Sequence, residues 1–211
     1  MKRNHPTVSF ERYADDIVVH CKTLTQAHRV KDAIAKRLLQ CKLQLHPTKT
    51  KIVLCQSFFK RPGNRYPEQF DFLGFTFRKR TCKSPKTGHI FDGFTPAISQ
   101  TSRKKIGDRI RHWRVGNSSD LSLQDMSSMY NPVLRGWVNY YGRFTPQALK
   151  PIYFQWNCVL TNWAGRKYKR YRRRRWMAKE WIFAIQRRDP GLFAIWDHFT
   201  PKKSGCTTGA V

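Results

Sequence analysis

Asp15 and Asp16 stand side by side between two β-favouring runs in VSFERYADDIVVHC, residues 8–21. Two hard carboxylates presented together at a bend suit a divalent cation, above all Mg²⁺, which takes a few oxygen ligands and completes its shell with water or substrate phosphate. A metal pair held in this way stabilises both the attacking and the leaving oxygen of a phosphoryl transfer. Tandem aspartates are also common as plain turn residues, so the pair alone leaves both readings open. Lys49 follows Pro47 in a polar turn between apolar runs. A cation there assists a reaction only where it reaches developing charge, and is otherwise a solvated loop lysine.

Two further segments bear on binding. In Phe72, Leu73, Gly74 and Phe75 the glycine lets a backbone come close to a nucleic-acid strand, or else marks a core β-hairpin with a bulge. From Arg166 to Arg175 the chain reads RKYKRYRRRR, eight cations in ten residues: Arg166, Lys167, Lys169, Arg170, Arg172, Arg173, Arg174 and Arg175. Each phosphate such a segment neutralises releases counterions, and Tyr168 and Tyr171 could stack on unpaired bases. A nuclear-localisation signal has the same appearance. Ordinary solvated charge does not account for so many like charges repelling one another without a partner.

The elements that must position these residues follow from periodicity. Val8–Cys21 reads as a hairpin with the two aspartates at its bend. Thr25 is suited to cap a helix running to about Gln40, with Ala27, Val30, Ile34 and Leu38 on one face. KLQLHPTKTKIVLC offers two short strands around His46 and Pro47, and FDFLGFTF offers another pair. RTCKSPKTGHIFDG reads as a loop or hairpin tip, and the pattern turns helical beyond Pro96. There Ile106, Ile110 and Trp113 form an apolar stripe beside Arg103, Lys104, Lys105 and Arg109. Ser122 with Asp125 forms a capping box for a second helix, Asn131–Pro132 opens a third, and Leu149 to Trp163 carries a fourth. Trp113, Trp137, Trp156 and Trp163 fall on these stripes and are expected in the core. After Asp189, LFAIW is an apolar anchor, while KKSGCTTGAV reads as disordered.

Composition limits the partners. The chain has 211 residues, 41 Lys plus Arg against 13 Asp plus Glu, and a formal net charge of +28. Residues 1–98 hold 19 basic and 7 acidic side chains and residues 99–211 hold 22 and 6, so both halves are expected to face a polyanion. Forty per cent hydrophobic residues, including 7 Trp and 14 Phe, suffice for a real core. No apolar run approaches the roughly 20 residues of a membrane span, the start lacks a secretory core, and no clean amphipathic anchor stands out. The six cysteines include no CxxC pair, which argues against a disulfide framework and a zinc site. The seven histidines show no ligand spacing.

Tyr13, Ala14, Asp15 and Asp16, flanked by apolar strands, resemble the Tyr-Ala-Asp-Asp motif of reverse transcriptases. LQLHPTKTKIV at 43–53 resembles the next palm motif of the group II intron enzymes, and FLGF at 72–75 their primer grip. ISQTSRKKIGDRIRHW at 98–113 and NPVLRGWVNYYGRF at 131–144 resemble their maturase-specific thumb domain. The order and wording of these segments identify the chain as resembling the C-terminal part of a group II intron reverse transcriptase and maturase.

The resemblance implies RNA-directed DNA synthesis with Mg²⁺, Asp15 as metal ligand, Asp16 in close support and Lys49 near the triphosphate. It also implies splicing assistance, in which palm and thumb hold intron RNA. Arg103, Lys104, Lys105, Arg109 and the 166–175 run are the expected RNA contacts. RNA template, DNA primer, dNTP and a complementary N-terminal fragment are the further partners, in a bacterial cytoplasm. Family members carry fingers and another metal-binding aspartate before this hairpin. Glu11, within the hairpin strand itself, cannot replace that group, so the isolated chain is expected not to polymerise DNA. Met1 need not be a natural start. The expected fold is α+β: a partial palm over 1–95 (β-hairpins with one packed helix), an α-helical thumb over 96–182 and a tail over 183–211. An RNA-binding splicing module or decayed remnant is the alternative.

Overall fold

The computed structural model describes residues 8–55, 66–84 and 87–199. It is an α+β structure in two compact units, one of Met1–Phe72 with Arg78–Phe94 and one of Leu73–Phe77 with Thr95–Val211. The expected disordered segment KKSGCTTGAV lies outside the described residues. No helix among those residues is long and apolar enough to cross a membrane.

In the first unit, β1 (Ser9–Tyr13) and β2 (Asp16–His20) form an antiparallel hairpin in which Tyr13 faces Asp16. Helix α1 (Leu24–Gln40) follows, and the Thr23 hydroxyl accepts the Gln26 N–H, so the cap lies two residues before the expected Thr25. Val30 is buried and Ile34 and Leu38 are half-buried, as the spacing predicts. The two strands expected over KLQLHPTKTKIVLC do not form. The Thr50 N–H returns to the His46 carbonyl in a turn, and Leu54 pairs with the Pro67 carbonyl by one bond, which is too little to make a ladder.

Strands β3 (Gln69–Phe72), β4 (Phe75–Lys83) and β5 (Ile90–Ile98) make a sheet in that order. The polar stretch beginning at Lys79 is therefore mostly strand, since β4 runs to Lys83 and β5 begins at Ile90. Asp92 on β5 accepts from both Lys79, at 3.0 Å, and Thr81, at 3.2 Å, which holds its carboxyl below the usual range and ties the polar strands together.

The helical unit contains α2 (Gln100–His112), α3 (Leu123–Tyr141), α4 (Lys150–Lys167), α5 (Arg175–Arg188) and α6 (Ala194–Phe199). Ser122 and Asp125 cap α3 reciprocally, and the Ser122 hydroxyl and N–H hold the Asp125 carboxyl below its ordinary value. The second and third expected helices are one. Met126, Tyr130 and Leu134 carry a buried stripe straight past Pro132, which is itself exposed. Burial on both sides outweighs the backbone bond that proline cannot make to Ser128.

Helix α4 packs against both α2 and α5, and α3 against α6. Trp156 and Trp163 are fully buried and Trp113 and Trp137 half-buried, with Trp113 stacked between Tyr130 at 4.5 Å and Trp137 at 5.5 Å. Helix α5 has no counterpart among the expected elements. It continues through the expected boundary at 182/183, and Phe193, Ile195 and Trp196 beyond it lie in the core, so residues 183–199 belong to the bundle.

His198 Nε2 is buried without a partner among the described residues, and burial lowers the imidazole pKa, with Asp197 opposing the shift. A lowered folded pKa favours the neutral ring, so its contribution is present above the ordinary value of about 6.5 and is lost as pH falls. The thermal midpoint is expected to drop as pH decreases below about 6.5, and His198→Gln should flatten that slope. Pro132→Ala should raise stability on the order of 1 kcal/mol by restoring the missing donor, as read by denaturant melts of the two proteins.

Candidate nucleic-acid interface and carboxylate hairpin

The turn joining β1 and β2 consists of Ala14 and Asp15, with Ala14 at φ 52°, a left-handed value that a non-glycine residue adopts at some cost. The Arg12 guanidinium Nε donates to the Ala14 carbonyl at 2.9 Å and holds the turn from the strand side. Asp15 and Asp16 are both exposed, and neither forms an ion pair among the described residues. Strained backbone over-determined by its surroundings is common where a side chain must be presented in one direction. What it presents here is a pair of unneutralised carboxylates beside Tyr13, which is 63% exposed. No group of three or more His, Cys, Asp or Glu side chains suited to a metal occurs among the described residues. Lys49 is exposed in the turn closed by the Thr50–His46 bond, in the same unit as the hairpin.

At Phe72–Phe75 the chain makes a two-residue turn with positive φ at Leu73 (50°) and Gly74 (78°), the combination that matches strand twist in a tight hairpin. Leu73 through Phe77 belong to the helical unit. The Leu73 carbonyl accepts the Tyr140 hydroxyl at 2.9 Å and the Gly74 carbonyl accepts the Ser99 N–H at 2.9 Å. Phe75 is buried against Tyr140, Tyr141 and Phe144 at ring distances of 5.1, 5.3 and 5.6 Å. A Cβ on Gly74 would meet Ser102 Oγ at 2.9 Å and Tyr141 Oη at 3.0 Å. The close approach that needs this glycine is thus made by protein side chains, and the turn is a latch that packs Leu73–Phe77 onto α2 and α3 within the helical unit.

The basic residues divide into two groups. Arg166 Nη1 donates to Asn117 Oδ1 at 2.7 Å across Gly116, and Lys167 Nζ donates to the Leu121 carbonyl at 2.7 Å while lying over the Trp163 ring at 5.3 Å. These two cations fasten the connection between α2 and α3 to the end of α4. Tyr171 is buried, its ring 5.5 Å from Trp181, so it packs the core and is not a base platform. Arg170 covers that ring at 4.5 Å. Arg103 leans on Gln100 at 2.6 Å.

Lys104, Lys105, Arg109, Lys169, Arg172, Arg173, Arg174 and Arg175 are exposed. The 166–175 run is therefore the end of α4, a 3-10 turn at Lys169–Tyr171, a bend with Arg173 at φ 64° and the start of α5. Sequence reasoning missed Phe154 and Trp176, which are 57% and 70% exposed. Both lie off the buried stripes of their helices, and Trp176 directly follows the cations.

Among known proteins, residues 103–181 match the family model described as the group II intron, maturase-specific domain. Residues 1–77 match the reverse transcriptase (RNA-dependent DNA polymerase) model, a span that contains the aspartate hairpin and ends with the Leu73–Phe77 latch. No curated protein and no solved structure matches the chain.

The latch makes a direct prediction. Gly74→Ala should destabilise the helical unit by about 1–3 kcal/mol, since it forces an alanine into a left-handed turn and drives its Cβ against Ser102 and Tyr141. Chemical denaturation followed by tryptophan fluorescence would detect it. A midpoint equal to wild type would mean that the latch holds nothing.

Proposed function

Because the chain belongs to the group II intron reverse transcriptase and maturase family, we propose that its helical unit binds folded intron RNA in support of splicing and intron mobility. The observation that carries this is the set of exposed cations within residues 103–181: Lys104 and Lys105 on one face of α2 with Arg109 a turn on, and Lys169 with Arg172–Arg175 at the α4–α5 bend. Positive side chains carried on α2 and at the α4–α5 bend are positioned to neutralise phosphates.

The hairpin carries the second half of the proposal. Asp15 and Asp16 are accessible, adjacent and unneutralised, which suits Mg²⁺, a cation the family uses and one that accepts one or two carboxylates together with substrate phosphates. Bound there, the cation would supply charge stabilisation as the primer 3′ oxygen attacks the α-phosphorus of a dNTP, adding the nucleoside monophosphate to the primer and releasing pyrophosphate. The chain's own part is to present the carboxylates on a turn held by Arg12 and to bring Lys49 toward the triphosphate. Phe72, Leu73, Gly74 and Phe75 are proposed to lie on the primer side. A two-metal site takes more oxygen ligands than this pair, so synthesis is proposed for the complete enzyme, with RNA template, DNA primer and a complementary N-terminal segment. A bacterial cytoplasm is the proposed compartment. The alternative, a splicing module without synthesis, keeps the RNA face and dispenses with the carboxylates.

The purified chain is expected to prefer a structured group II intron RNA over an unrelated RNA of equal length, and to keep that preference as salt rises. Equal affinity for both, collapsing with a slope of about −0.7 per contacted phosphate, would reduce the surface to non-specific charge and refute the maturase reading. In the complete enzyme, Asp15→Ala or Asp16→Ala should abolish primer extension without altering RNA affinity. Retained extension would rule out the metal role.

A further inference from the structure

Between α4 and α5 lies an open groove of about 420 Å³, lined by Phe154, Cys158, Arg175, Trp176, Lys179 and Phe183, a size within the roughly 300–1,000 Å³ of small-ligand sites. Its walls are aromatic, and two of its rings, Trp176 and Phe154, are mostly exposed. Single exposed apolar residues are unremarkable, but two large rings lining one groove form a patch that calls for an occupant. Asn157 and Thr161 also line it and are buried. Asn157 Oδ1 accepts the Trp196 indole N–H at 2.7 Å, which fixes the amide orientation and leaves Nδ2 as a buried donor without a partner among the described residues. The Thr161 hydroxyl is spent on the Asn157 carbonyl at 2.7 Å.

We infer that this groove is a stacking site for an unpaired RNA base, with Trp176 as the platform and Arg175 and Lys179 on the flanking phosphates. The inference rests on the RNA-binding reading above and assigns it a specificity. Charge selects the occupant. Arg175 and Lys179 edge the rings, Arg172–Arg174 precede them in the chain, and the whole molecule carries +28, so a second copy is repelled. A nucleic acid satisfies both features at once: its backbone meets the cations and a splayed base meets the ring, a contact available only where the strand is unpaired. The phosphate-binding cations elsewhere on α2 do not distinguish paired from unpaired strands. The groove does.

The test compares the full chain's affinity for a 20-nucleotide unstructured RNA and for a perfectly paired duplex of the same length. Trp176→Ala should weaken single-strand binding by about tenfold, the loss expected for one stacked base, with duplex affinity, salt slope and thermal midpoint unchanged. Trp176→Phe should recover most of that loss. A companion variant, Lys104→Ala with Lys105→Ala and Arg109→Ala, should weaken both RNAs and thereby report on RNA binding itself. If the companion behaves so while Trp176→Ala changes neither RNA, or both equally, the stacking site is refuted and the RNA reading survives. If wild type binds neither RNA, both are refuted. Concentration-dependent self-association abolished by Trp176→Ala would make the groove a protein interface and overturn the inference.

Discussion

The helical unit depends on the buried seam of α4. Ile152, Trp156, Leu160, Trp163 and Ala164 are each at most 1% exposed, and the helix that carries them packs on α2, on α5 and on the 3-10 turns at Val115–Asn117, Pro146–Leu149 and Lys169–Tyr171. Burial contributes about 1.5–3 kcal/mol for each large apolar side chain in such a seam. A pair of like charges about 4 Å apart at a water-like dielectric costs only about 1 kcal/mol, and salt screens it further. The seam therefore tolerates a surface that would otherwise push the helices apart, and it allows cations to cluster at the α4–α5 bend without an ion pair among the described residues.

That constraint explains why the cations divide as they do. Where α4 ends, its seam must be closed against the connection between α2 and α3. Arg166 and Lys167 close it by donating to Asn117 Oδ1 and the Leu121 carbonyl. Immediately beyond, Tyr171 turns inward under Arg170, and the next four arginines are turned outward as a consequence. A single basic run thus fastens the fold at one end and offers charge to a polyanion at the other. The same economy holds at the Leu73–Gly74 turn, whose left-handed residues accept from Tyr140 and Ser99 of the same unit while Phe75 packs on the Tyr140 ring.

Much of this was legible in the sequence because the signals were local. The alternation around Asp15 and Asp16 gave the hairpin, the Ser122–Asp125 spacing gave the start of α3, and the 3-and-4 spacing from Ile152 to Trp163 gave α4. The misreadings came where a distant contact decided the outcome. Pro132 looked like a helix start, but it lies inside α3 because the stripe from Met126 to Leu134 is buried by other helices. Residues 42–55 had strand composition and, among the described residues, no ladder to join. Gly74 left open a ligand's approach or a plain hairpin, and what its missing Cβ makes room for is decided by Ser102 and Tyr141, far away in the chain. Helix α5 was hidden by its cationic first turn, and Trp176 with it, since a run of arginines carries no apolar period until Ala178, Ile182 and Ile185 complete it.

The most direct measurement of the division between fastening and binding cations is the salt dependence of RNA affinity in two variants, each paired with its thermal midpoint. One replaces Lys169 and Arg172–Arg175 with alanine, and the other replaces Arg166 and Lys167. The first should lower the slope of log affinity against log salt by about 0.7 for each single-strand phosphate that is no longer neutralised, with its midpoint unchanged. The second should melt at a lower temperature and keep most of the wild-type slope. A slope that falls mainly in the second variant, with the midpoint unmoved, would contradict the account.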